Sequence, residues 1–461
     1  MTRAKGRVAP PRNPASRRTP AVARAHPARG SSKRLHEKNV RARHATLRNG
    51  LRVVAVEMPS VHSVSLVVYV KAGSRYETEQ NNGVSHFLEH MFFRGTERFP
   101  STWELANRIE SLGGTFNAST SRDMAYYFTE LAPRNLESGL EVLSDMFRAP
   151  LFPDVEIERE VVLEEMSDDY NEDGILVDPD SIAKSKLWPD HALGFPIIGT
   201  RRNIKRISEA DLRAHHRRLY TAPNMVLTAA GNITLEELKK LAEKYLSFLE
   251  PGPVAVPKSP IFSPGKFHWI KNPDNQLAVD LVFPAFAEGS EHWRTGILLR
   301  RILDDGISSR LHRAIVDRGG IAYGCEAILD GFHDTGSFEF ECSLAPEKLP
   351  ALIEVLVKIL RDLKDNGPEA GELAKVKERF ACDLEFAQDN TGEMSGWYGG
   401  VALYREPESF EAALAKVRKV TIDEVRSVAQ RIFDASKAHL VVVGEPAFKD
   451  MDGAKRKLGA L

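Results

Sequence analysis

The feature that most constrains the fold is an internal repeat. Residues 131–143 align without gaps on residues 344–356, an offset of 213, with Leu, Ala, Pro, Leu, Glu, Val and Leu identical across thirteen positions. Shared helix periodicity accounts for spaced leucines but not for the Ala-Pro pair or the glutamate, so the chain reads as a duplication. At 461 residues it also exceeds what a single hydrophobic core sustains. Each half carries β-rich runs interleaved with amphipathic helical patterns. The class expected is α+β: two duplicated domains, each a mixed, mainly antiparallel sheet packed with helices.

Proline and charge place the boundaries. Pro251, Gly252 and Pro253, followed by Pro257, Pro260 and Pro264, mark a linker over 251–266 between bodies at 45–250 and 267–461. Residues 1–44 are rich in Arg and Lys, contain one acidic residue, Glu37, and hold five prolines before residue 30. Such a segment buries too little apolar surface to offset its ordering entropy, and a disordered basic tail is expected. It lacks the apolar stretch of a secretory signal, while its Arg-rich, acid-poor start is compatible with an organellar transit peptide.

The remaining composition mostly excludes. With 63 basic against 64 acidic residues, the chain has no overall charge to attract nucleic acid. Its three cysteines, Cys325, Cys342 and Cys382, form no CxxC pair, which argues against a disulfide framework or a thiolate metal site and favours a reducing compartment. No apolar run is long enough for a membrane span. The cytoplasm is the expected location, with the mitochondrial matrix or another organelle as the alternative if the tail is a transit peptide.

Local patterns predict a hairpin at Asn49-Gly50, a strand over 63–70, helices over 103–112, 135–147 and 155–169, and a hairpin or strand over 116–131. A helix over 209–219, a strand over 225–230 and a helix over 235–249 complete the first half. The second half is expected to hold a strand over 277–282, helices over 291–304 and 307–318, a hairpin across 321–344, two long helices to about 388 and a strand over 439–443.

Within the run 82–95 stands His86-Phe-Leu-Glu89-His90. On a helix, residues four apart lie about 40° apart around the axis, so both imidazoles project from one face a turn apart and can grip one metal ion. Glu89 falls on the same face, placed to act as a base without ligating. A site of this type needs a third protein ligand. The helix over 155–169 offers Glu158, Glu160, Glu164 and Glu165. The repeat supplies a comparison: 213 residues on from His86, Glu89 and His90 lie Leu299, Ile302 and Leu303. The helix can evidently form with apolar residues there, so the polar set is not needed for folding.

The HxxEH order, the following Met-Phe-Phe-Arg-Gly-Thr96, and Glu165 after 74 intervening residues together resemble the pitrilysin family of zinc peptidases, M16. The two-halved length is similar to the subfamily of mitochondrial processing peptidase and its bacterial relatives. The resemblance covers residues 45 to 445. It implies that 45–250 is the catalytic domain and 267–461 a homologous domain without metal. It also implies Zn2+ held by His86, His90 and Glu165, with Glu164 the rival third ligand, Glu89 as general base, and Glu158 supporting the site. The run containing Asn117 and Ala118 resembles the family's edge strand, on which an extended peptide adds as a further strand.

One departure bears on partners. Family members commonly carry an arginine seven residues before a tyrosine that helps bind substrate and stabilise the oxyanion; Tyr323 is present, but Val316 occupies the arginine position. Arg318 is two residues out of phase, about 160° around a helix. The resemblance therefore implies a heterodimer with a zinc-free homologous subunit, in preference to a homodimer. The function expected is a zinc-dependent endopeptidase cleaving extended peptides inside a closable two-chain chamber, with metal-activated water as nucleophile. The rival is a non-catalytic peptide-binding or scaffold subunit.

Overall fold

The computed structural model describes residues 40–461. The basic tail expected over 1–44 lies mainly outside them, but its last four residues belong to a strand. β1 (Arg41–Thr46) pairs along its whole length with β2 (Arg52–Glu57), around the Asn49-Gly50 turn. β1 is largely exposed, so backbone pairing rather than burial orders it. A reading based on composition does not detect that.

The first sheet continues through β3 (Val64–Val70), β4 (Thr115–Thr120), β5 (Ala125–Leu131) and β6 (Met225–Gly231), in the order β1-β2-β6-β3-β5-β4. The second contains β7 (Phe267–Ile270), β8 (Leu277–Ala285), β9 (Cys325–Gly331), β10 (Gly336–Leu344) and β11 (His439–Val443), in the order β7-β11-β8-β10-β9. The two sheets share one topology apart from the added β1. β2–β6 and β7–β11 are the parallel pairs, and the other pairings are antiparallel.

The offset of 213 runs through the helices as well. The helix Glu209–Leu219 maps onto Ile422–Ile432, and Leu235–Tyr245 onto Phe448–Leu458, residue for residue. The first-half helices that matter for the site are α1 (Val84–Phe92), α2 (Thr102–Glu110), α3 (Leu136–Arg148), α4 (Val155–Glu165) and α5 (Pro179–Leu187). The helix expected over 307–318 is instead a π-helical turn, His312–Asp317. Gly306 in the left-handed region (φ 84°) stands before it, Gly319-Gly320 follows, and only residues 310–311 ahead of the π turn are α-helical.

Each half lends a helix to the other. Ile182, Ala183 and Leu187 of α5 form an apolar cluster with Val282 of β8 and Val441 and Val443 of β11, in the second sheet. The equivalent segment 213 residues on, Thr391–Ser395 with the π-helical turn Gly396–Gly400, lies on β3 and β6 of the first sheet. There Tyr69 Oη lies 3.4 Å from Ser395 Oγ. Through these exchanged helices the two halves pack closely within residues 40–461. Segment 251–266 has no regular element and is tied down by backbone bonds from Ser263 to Leu187 and from Gly265 to Ser436. Among the described residues no helix is long and apolar enough to cross a membrane.

Candidate metal centre

The site is organised by the way α1 begins. Gly83 takes φ 99°, and a Cβ there would meet Ile198 O and Ile204 Cδ1 at 2.7 Å, so only glycine fits. The carboxylate of Glu77 replaces a capping side chain, accepting from Gly83 N and Ser85 N at 2.8 Å and from Asn82 Nδ2 at 2.9 Å. Ser85 Oγ in turn meets His215 Nε2 at 2.9 Å. Val84, Phe87, Leu88, Met91 and Phe92 are buried, which leaves His86, Glu89 and His90 on the opposite face.

Glu165, in the last turn of α4, closes the pair. His86 Nε2 lies 3.6 Å from its Oε1 and His90 Nε2 lies 3.4 Å from its Oε2. A tetrahedral ion with bonds of about 2.0–2.1 Å spaces its ligand atoms about 3.3–3.4 Å apart, so the three donors already stand near the separation zinc requires. Two imidazoles and one carboxylate are also the donor types of catalytic zinc sites. His86 Nδ1 is buried without a partner, which leaves Nε2 as the productive donor of that ring. The residues fit the ion. Glu164 is exposed and does not join the group.

Around this set the supporting contacts are specific. Glu158 Oε1 bonds His90 Nδ1 at 2.8 Å, fixing the ring so that Nε2 faces Glu165. Arg94 approaches Glu158 at 3.5 Å and Asp154 at 3.6 Å. Glu89 receives a hydrogen bond from Thr120 Oγ1, at the end of β4. Thr120, Arg94 and Glu77 are contributors that sequence reasoning missed. Thr120 and Arg94 lie inside the runs it singled out, but their partners are set by tertiary packing.

Electrostatics divide the two imidazoles. Burial, reinforced by His90, pushes His86 down to about 4 and keeps it neutral. Burial also acts against a charge on His90, but hydrogen bonds to Glu158 and Glu165 outweigh it and carry the ring up to about 9. Coordination of a metal through His90 would require the neutral ring and so would release this proton. Burial raises the Glu89 carboxyl, while its bond from Thr120 acts in the opposite sense.

β4 is an edge strand: among the described strands it pairs with β5 alone, and Asn117 and Ala118 lie on it. The Ala118 N–H donates to Asn117 Oδ1 at 2.9 Å, a local bond that an incoming strand can exchange for its own. Tyr323 is 99% exposed in the loop before β9, and among the described residues no hydrogen bond joins it to His86, Glu89, His90 or Glu165. The counterparts Leu299, Ile302 and Leu303 are buried in the helix Trp293–Leu303.

Comparison with known proteins agrees with this architecture. Residues 52–200 match the family described as Insulinase (Peptidase family M16), and residues 206–380 match the Peptidase M16 inactive domain. A Bacillus subtilis protein described as the uncharacterized zinc protease YmxG is 29% identical over 395 residues, spanning 84% of this chain and 95% of its own. The Mycobacterium tuberculosis uncharacterized zinc protease Rv2782c is 30% identical over 400 residues, spanning 85% of this chain and 90% of its own. Among solved structures, a protease from Helicobacter pylori superposes with a TM-score of 0.81 at 21% identity, covering 88% of this chain and 100% of that one. With the Insulinase and M16 inactive domains following one another along most of its length, the chain belongs to peptidase family M16.

Proposed function

We propose that the chain is a zinc metalloendopeptidase that cleaves peptides bound as an added strand along β4. The observation that carries this is the closure of His86 and His90 by Glu165 at tetrahedral spacing, with Glu89 on the same helical face. Zinc held by these three residues would supply Lewis acidity, polarising a carbonyl oxygen and acidifying water.

The chain's own residues supply the rest. Glu89 accepts the proton of the attacking water and returns it to the leaving amine. Thr120 donates to one carboxylate oxygen of Glu89, which fixes the orientation of the carboxylate. Glu158 holds the His90 ring. The outer edge of β4, including the Ala118 N–H, pairs with the substrate backbone, which selects extended peptides over folded chains.

The reading extends to a two-chain chamber in which a zinc-free homologous subunit faces the metal. Val316 at the family's arginine position and the full exposure of Tyr323 support that reading, since this chain lacks half of the oxyanion pair and leaves the other half unpacked. The test is Glu89→Gln assayed with and without the co-purifying partner. Zinc content should stay at wild-type level while peptide cleavage falls by about 10²–10⁴-fold. Undiminished cleavage would remove Glu89 from the mechanism, and no cleavage by the wild type in any assembly would favour a peptide-binding subunit instead.

A further inference from the structure

A second cluster of charge lies where α5 meets the other half's sheet. The Lys184 ammonium is fully buried and bonds Asp330 Oδ2 and Ser337 Oγ, each at 2.7 Å, together with Glu339. Asp180, one turn earlier on α5, lies 3.6 Å from the same ammonium and 2.5 Å from Arg122. In the second sheet Glu339 stands opposite Val282 and Glu341 opposite Asp280. Side chains alternate along strands, so these four residues share a face. Val282 packs in one cluster with Ile182 and Leu187, which makes it the face that α5 covers.

The charges there do not balance. Among the described residues, the ion pairs of Asp180, Asp280, Asp330, Glu339 and Glu341 involve only Lys184 and Arg122. Oxygens of Asp180, Glu339 and Glu341 lie within 4.8 Å of one another. Asp280 is wholly buried on the same face and both of its oxygens are without a hydrogen-bond partner, as is Glu339 Oε2. Buried carboxylate oxygens are ordinarily paired, so three orphans on one face call for a positive occupant.

We propose that Asp180, Asp280, Glu339 and Glu341 form a second metal site, binding a hard divalent cation of calcium size between the two halves of the chain. The donors are all oxygens, which selects such an ion over zinc or copper. They come from a helix and two strands in different layers, a setting that suits the flexible coordination of Ca2+ better than the strict octahedron of Mg2+. An open cavity lined by Pro179, Ala278 and Glu341 gives the ion a route in.

Calorimetric titration of the full-length zinc-loaded chain with CaCl2 tests this, with MgCl2 in a parallel arm. One Ca2+ per chain is expected beyond the zinc, with a melting temperature that rises with calcium. Asp280→Asn, and Glu341→Gln at the cavity wall, should each weaken binding by at least about tenfold. Absence of both heat and melting shift at about 10 mM calcium, or binding equal to wild type in these variants, would overturn the proposal and leave protons as the neutralising charge. Should Asp280→Asn fail to fold, Glu341→Gln decides alone.

Discussion

Thr120 shows what a single hydroxyl does beside the candidate metal centre. Its bond to Glu89 holds the carboxylate in one orientation, and hydrogen bonds to charged groups contribute about 1.5–3 kcal/mol. Thr120→Val keeps the shape and β propensity but removes the donor. The expected result is a kcat lower by about tenfold or more with KM little changed, and recovery in Thr120→Ser. A change confined to KM would mean that Thr120 serves the substrate edge instead. At this scale the site was unevenly legible. His86, Glu89 and His90 are fixed by helix geometry four residues at a time, and their common face follows from spacing alone. Glu165 against Glu164 was not decidable from adjacent identical letters, because the choice depends on where α4 ends and which way its last turn faces. Tyr323 matched a family position by letter, and within this chain its side chain is exposed.

The element scale turns on α1, a nine-residue helix that begins on a left-handed glycine without a capping side chain of its own. Glu77, seven residues upstream of Val84, supplies that function from a buried position, and no local capping pattern reveals it. Glu77→Ala leaves the buried Gly83 and Ser85 amides without acceptors. A loss of about 2–4 kcal/mol is expected in urea unfolding, together with weaker zinc retention as α1 loosens. A variant as stable as wild type would show that water replaces the carboxylate. The helix Glu209–Leu219 packs behind α1 and adds a pH dependence. Burial, then the charge of Arg218, hold His215 down at about 3, and burial with Arg213 holds His216 at about 4. Both folded values lie below the unfolded value of about 6.5, so the unfolded chain takes up protons first as pH falls. Their contribution is whole above about pH 6.5 and lost below it, at up to about 1.4 kcal/mol per pH unit for each group. Replacing His215 with Gln should flatten the fall in stability between about pH 6 and pH 5, read from denaturation midpoints.

For the whole molecule, the duplication was visible in thirteen aligned residues, and the offset of 213 extends through nearly every strand and helix. What periodicity could not disclose is which sheet each helix covers. α5 has an unremarkable pattern of Ile182, Ala183 and Leu187 around a lysine, and nothing local says that its partner strands lie about a hundred or more residues further on. The exchange of helices has a mechanical consequence: neither sheet is fully covered by its own half, so both should unfold in one step. Gly399 tests this directly. It lies in the segment that the second half lays on the first sheet, and a Cβ there would stand 2.0 Å from Thr228 Oγ1 and 2.7 Å from Thr228 Cβ on β6. Thr228 is fully buried and has no room to retreat. Gly399→Ala should therefore cost about 1–3 kcal/mol by overpacking. Because the segment is shared, hydrogen exchange should quicken together in β3 and β6 of one sheet and in β8 and β11 of the other. Exchange that quickens only around residues 391–400 would show that the two halves hold their sheets independently and that the exchanged helices are coverings rather than couplings.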